Sequence, residues 1–427
     1  MMEIKLKYGK ETIQANVRLF DCLGELVSKH ITTLQPAEKI LQDALAQAIG
    51  TYPFSRLFRR AKGLLLVLPA YSANAGIHQV LPHVLDRLNH ADVPDQEIKL
   101  LVAKTHGPAF SEEELINLVG RQCLQRVDVF QHDCHATRQL EYVGETRCGI
   151  PVLLNRLLLD AEQIMILSSI EHHFITGYDG GPRVIIPGCA GYETISRIFS
   201  LAIDFEHLKL QPWCMDGKLD GNPVHKTLQE AYRCLSAKFG VYPIMNSHHR
   251  IISVFTGHPL QAHAAGQRMV DSLFKIPIRR KADLTIVSCG GAPRDDNFLV
   301  AYRALHHAAY ATKPGGTIVF VAACPQGIGS ETFLQWFDYR ESQSLLSHLH
   351  SNFSLEATLA LATMEKISDF NIIMVSELAE AELRKMGFIF APSLQEAIDM
   401  ALDTAKKRAA TYIMPEGFQT VPFFCDA

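Results

Sequence analysis

No apolar run in the 427-residue chain reaches the roughly 18 residues that a membrane-spanning helix needs. The ten cysteines, at positions 22, 123, 134, 148, 189, 214, 234, 289, 324 and 425, include no C-x-x-C pair, which argues against a structural zinc site and a disulfide framework. A formal net charge of −4 leaves no basic footprint for nucleic acid. Internal repeats and low-complexity tracts are absent too. The start, MMEIKLKYGKETIQANV, alternates as a strand does and carries no apolar signal core. A cytoplasmic protein is expected, with a small anion as its partner rather than nucleic acid or membrane.

What is present is the composition of a soluble globular protein, 48% hydrophobic and 20% charged, in a chain long enough for two domains. Short runs rich in Leu, Ile and Val alternate with helical patterns, which is the signature of an α/β fold with mainly parallel sheets. The clearest strands are GLLLVL (63–68), IKLLVA (98–103), QIMILSSI (163–170), ADLTIVSC (282–289), GTIVFVAA (316–323) and FNIIMVS (370–376). Ser111 and Glu114 form a capping box, followed by an apolar face of Leu115, Ile116, Leu118, Val119 and Leu124. IPIRRKAD (276–283) reads as a linker, giving an N-terminal α/β domain over 1–275 and a C-terminal one over 276–427.

The segment IEHHFITGYDGGPRVIIPGCAGYETI (170–195) gathers paired histidines, glycines and one Arg after an apolar strand. Ligands bind at the carboxyl ends of strands in open α/β sheets. Arg183, the one cation in the glycine frame, suits a carboxylate or phosphate. Two further loops follow strands, Lys104-Thr105-His106 and Arg294-Asp295-Asp296-Asn297, and parallel strands would bring all three to one rim. His106 and His173, from separate loops, then suit a reaction run from either face of a carbon; capping or bonding to backbone carbonyls is the bland alternative. HDCHA (132–136) offers His132, Cys134 and His135 to a metal but no fourth partner. Cys189 is a conceivable soft ligand beside a plainer role as a buried thiol. His258 and His263, five apart, are not aligned on a helix for coordination.

The ordered pieces YGK (8–10), KLLVAKTHGP with SEEEL (99–115), YVGETRCGIPVLLNRLLLDA (142–161), the 170–195 segment, GNPVH (221–225), FTGHPLQAHAAG (255–266), GGAPRDDN (290–297) and KPGGTIVFVAACPQGIGSETF (313–333) resemble the nickel-dependent lactate racemase family over nearly the whole chain. The resemblance implies two α/β domains with an active-site cleft, racemase or epimerase chemistry on a 2-hydroxy acid, and a nickel pincer nucleotide as cofactor. It implies that His106 and His173 alternate as bases, that Gly180, Gly181 and Arg183 lie against the cofactor, and that Arg303 anchors a carboxylate. It also marks a divergent member. The family's attachment lysine falls at Arg183, its nickel-ligand histidine at Phe199, two phosphate-loop residues at Ala70 and Ala73, and two substrate-pocket residues at Leu299 and Val300. His172 stands where the family has another residue, and the identity of any metal ligand is left open.

Overall fold

The computed structural model describes residues 2–17, 21–29, 31, 35–70, 76–105, 107–235, 237–246, 250–339, 342–404 and 409–425. His106 and Ala73 lie outside them. The chain divides into two compact units: His30–Ala202 with Pro212–Asp271, and Met1–Lys29 with Ile203–Gln211 and Ser272–Ala427. Among the described residues no helix is long and apolar enough to cross a membrane.

The first unit is built on a six-stranded sheet, in spatial order Ile251–Gly257, Phe239–Met245, Gln163–Leu167, Leu64–Pro69, Ile98–Ala103 and Asp128–Gln131. Five strands run parallel, and only the edge strand Ile251–Gly257 is antiparallel to its neighbour. Every residue of Leu64–Pro69 is buried, as a central strand covered on both faces requires. Helix Ile77–Asn89 packs Val80, Leu81, Val84, Leu85 and Leu88 into the same core, each fully buried side chain contributing roughly 1.5–3 kcal/mol.

The capping box forms as expected: Glu114 N–H donates to Ser111 Oγ at 3.3 Å, and Ser111 N–H donates to Glu114 Oε2 at 2.7 Å. The helix stops at Val119, because Gly120 adopts φ +85, and a second short helix, Arg121–Arg126, carries Leu124.

The second unit holds an all-parallel six-stranded sheet containing Ala282–Ser288, Thr312–Val321 and Asn371–Val375, all three foreseen in the sequence. Its far edge is Asp21–Glu25, which pairs with Ala410–Met414. The N-terminal hairpin, Met2–Tyr8 with Glu11–Val17, packs Ile4, Leu6, Ala15 and Val17 into this unit's core. The division thus differs from one cut near 275: backbone pairing and apolar packing draw the first 29 residues to the C-terminal sheet. Nor is the stretch from 276 a free linker, since Lys275–Ile278 forms a parallel pair with Val421–Phe424.

Candidate active site

Strand Gln163–Leu167 ends in Ser168, Ser169 and Ile170, and the chain then forms a tight antiparallel hairpin, Glu171–His173 with Gly177–Asp179. Alternation along a strand sends consecutive side chains to opposite faces, so His172 and His173 meet different surroundings. His172 is buried and its Nε2–H donates to Asp271 Oδ1 at 2.8 Å. Tyr178 O–H donates to the same oxygen at 2.7 Å. Burial, and then the bond to Asp271, push the Tyr178 phenol well above its ordinary pKa. His172 is therefore a clasp that ties the hairpin to helix Pro259–Phe274.

His173 is half-buried and stacks on Phe174 at 5.2 Å. Its Nδ1 accepts from the backbone N–H groups of Ile175 and Thr176, at 3.1 and 3.3 Å. Two donors at Nδ1 assign the proton of the neutral ring to Nε2.

Beyond the hairpin, Gly180 and Gly181 adopt φ +79 and +56 and lead into the turn Gly181–Val184. A Cβ on Gly180 would stand 1.9 Å from Ser169 O, and one on Gly181 would stand 2.7 Å from the His263 ring. Packing by itself accounts for both glycines. Arg183 is largely buried, its Nη1 2.9 Å from Asp179 Oδ1. Among the described residues, neither Nη1 nor Nε finds an acceptor in hydrogen-bond alignment. The guanidinium shares a cavity with His225, on helix Pro223–Tyr232, and with His263 and Gln267 on helix Pro259–Phe274. Burial, and then Arg183, lower the pKa of His225. Burial pushes His263 down to about 4; its Nε2–H donates to Asp179 O at 3.0 Å and its Nδ1 accepts from Gln267 Nε2 at 3.1 Å.

Other expected positions fall elsewhere. His132 is fully buried, donating from Nε2 to Ala190 O and accepting at Nδ1 from Asn155 Nδ2, so both ring nitrogens are engaged. His135 stacks on Tyr192. The Cys134 thiol is pushed up to about 11 by burial, and His132 beside it has no ring nitrogen left for a metal in this arrangement. Cys189 is wholly buried; burial raises its pKa, and its thiol donates to Val184 O at 3.5 Å. Among the described residues no group of three or more His, Cys, Asp or Glu is placed to hold a metal ion. Phe199 is buried on helix Tyr192–Ser200. Ala70 donates its N–H to Ala103 O.

Arg294–Asn297 and Arg303 belong to the other unit. The Arg294 loop follows a strand of that unit's own sheet, not of the sheet that carries Lys104 and His173. The Arg303 guanidinium lies 4.4 Å above the Phe418 ring. Leu299 and Val300 start the same helix, Phe298–Ala311.

Sequence reasoning did not assign roles to Asp271, Tyr178, His225 and Gln267. Spacing held a signal for some of them: Leu260, His263, Ala264, Gln267 and Asp271 recur at helical intervals along one face.

A model of the lactate racemase N-terminal domain matches residues 8–207, and one of the lactate racemase C-terminal domain matches residues 278–421. The chain is 25% identical over 430 residues to a lactate racemase of Thermoanaerobacterium thermosaccharolyticum, covering 99% of each. It is 26% identical over 429 residues to a lactate racemase of Lactiplantibacillus plantarum, covering 99% of this chain and all of the relative. The solved lactate racemase apoprotein from T. thermosaccharolyticum has the same fold, with a TM-score of 0.88 over 99% of this chain and 100% of that one, at 24% identity.

Proposed function

The chain belongs to the lactate racemase family, and from that premise we propose that it is a racemase- or epimerase-like enzyme acting on a 2-hydroxy acid or a related small anionic substrate. The observation that carries this reading is His173, set on a hairpin directly after a parallel strand with a defined tautomer. With Nδ1 accepting two backbone N–H groups, the proton of the neutral ring sits on Nε2, the nitrogen that would serve a substrate oxygen. Taking a proton at Nε2 requires the ring to leave those amides. Leaving them strands the N–H groups of two buried residues, Ile175 and Thr176, at roughly 1–3 kcal/mol each, which substrate binding has to offset. His106 is the second ring of the pair by resemblance.

The residues present do not fit the tethered form of the nickel pincer nucleotide that the family resemblance implies. A guanidinium stays protonated and is no nucleophile, and Arg183 is buried beside Asp179. Phe199, at the expected nickel-ligand position, carries no donor atom and is 6% exposed. No step is therefore derived through that cofactor.

These two residues favour a second reading: a family member without the pincer cofactor, serving as an anion-binding protein or catalysing a simpler proton transfer next to a carbonyl. An imidazole is a poor base for the weakly acidic carbon of a hydroxy acid but suits a proton beside a carbonyl.

The test uses protein produced together with the cofactor-making enzymes. Its nickel content and ultraviolet-visible absorbance are measured, and 2-hydroxy acids are assayed by chiral chromatography in deuterated water. Interconversion of enantiomers with nickel and a chromophore supports the first reading, and deuterium uptake beside a carbonyl without either supports the second. The His173→Ala change lowers whichever rate is found by about 10²–10⁴-fold. An unchanged rate removes His173 from its role.

A further inference from the structure

The turn Gly181–Val184 and the helices Pro223–Tyr232 and Pro259–Phe274 line a cavity of about 110 Å³. Its polar lining consists of Tyr178, Arg183, His225, Gln229, His263 and Gln267, with apolar walls from residues such as Leu228 and Ala264. Among the described residues no carboxylate lines it, so its inward chemistry is that of donors around one cation. Tyr178 is committed to Asp271, and His263 and Gln267 are committed to each other. Arg183 is not so settled. Its Nε and Nη1 are buried without an aligned acceptor, and a buried charged donor left in that state costs more than the roughly 1–3 kcal/mol of a neutral one.

Asp179, 2.9 Å from Nη1, offsets the charge but does not satisfy the fork. A planar guanidinium recognises oxyanions through paired N–H groups. The cavity is smaller than the roughly 150 Å³ engineered cavity that admits benzene, so it takes a ligand of about five heavy atoms or fewer and not a nucleotide.

We propose that this cavity is a binding site for a small oxyanion, a monocarboxylate or a phosphate-like ion, held by Arg183 with His225 and Gln229 beside it. His173 is not among its lining residues, so the site is separate from the ring assigned to proton transfer and does not rest on that assignment.

The experiment measures the melting temperature of the full chain in sodium acetate and in sodium phosphate, against sodium chloride at equal ionic strength. Saturating oxyanion raises it by about 5 °C over chloride, with acetate or phosphate giving the larger shift according to which shape the cavity prefers. Arg183→Met abolishes the shift. Ala264→Leu, which fills the cavity and leaves the guanidinium in place, abolishes it as well. Should either variant fail to fold, Gln229→Leu blocks the same space from the other helix. His173→Ala keeps the shift, which separates this site from the catalytic reading. A wild-type response no larger than that to chloride, or an equal response in Arg183→Met or in the cavity-filled variant, overturns the proposal.

Discussion

Gly180-Gly181-Pro182-Arg183 in one unit and Gly290-Gly291-Ala292-Pro293-Arg294 in the other read almost alike, and they turn alike. Both glycine pairs have positive φ, and in each loop the arginine N–H donates back three residues, at 3.2 Å to Gly180 O and 3.0 Å to Gly291 O. The surroundings then diverge. Arg183 ends in a cavity with two of its nitrogens unmatched, whereas Arg294 is 4% exposed and lies over the Phe418 ring. Its neighbour Asp295 is fully buried and its Oδ2 accepts from Gly9 N–H at 2.8 Å and Ala323 N–H at 3.2 Å, binding three loops together. The same local wording thus makes a donor-lined space in one unit and a structural clasp in the other, and the deciding residues lie beyond the shared glycines, proline and arginine.

The largest expected effect separates the glycines. Gly180→Ala drives a Cβ to 1.9 Å from a backbone oxygen at positive φ and costs about 4 kcal/mol. Gly290→Ala meets the movable end of Arg294 at 3.3 Å and Glu416 at ordinary contact, 3.7 Å, and costs about 1–2 kcal/mol. Urea midpoints at constant slope measure both, and equal losses would dissolve the contrast.

Next come the charged residues. Asp295→Ala strands two backbone donors and lowers stability by about 3 kcal/mol. Arg183→Met removes two unmatched buried donors but leaves the largely buried Asp179 carboxylate without its cation, and these opposed effects keep the loss smaller, at about 1 kcal/mol. If Arg183→Met proved as damaging as Asp295→Ala, Arg183 would be a clasp as well.

The strands were legible because a covered parallel strand is a continuous apolar run: IKLLVA matches Ile98–Ala103 residue for residue. The capping box was legible because both partners are local. Less visible were features made by residues far apart in sequence. His172 and His173 look equivalent as letters, and only Asp271, 99 residues from His172, separates a clasp from a presented ring. IPIRRKAD looks like a linker because nothing nearby pairs with it; Val421–Phe424 does. The glycines of the site segment suggested close approach to a ligand, while the Ser169 carbonyl and the His263 ring already require them.

The last contrast is in acid sensitivity. His263 packs on Gly181 with both ring nitrogens engaged, and burial pushes its pKa from 6.5 to about 4. A depressed value means that the unfolded chain takes the proton first. The stability His263 contributes is therefore complete above pH 6.5 and is lost as pH falls through about 4. Between pH 7 and pH 5 the loss amounts to about 2 kcal/mol. His225 acts with the same sign, since burial and Arg183 lower its pKa too. His263→Gln keeps an amide donor for Asp179 O but cannot titrate, so the difference between its urea midpoints at pH 7 and pH 5 shrinks by that amount. No histidine lies in 290–297, so Asp295→Asn, measured in parallel, leaves the histidine-dependent part of the slope in place. A slope unchanged in His263→Gln would show that the ring is not kept neutral by its surroundings, and the distinction between the two loops would then rest on packing alone.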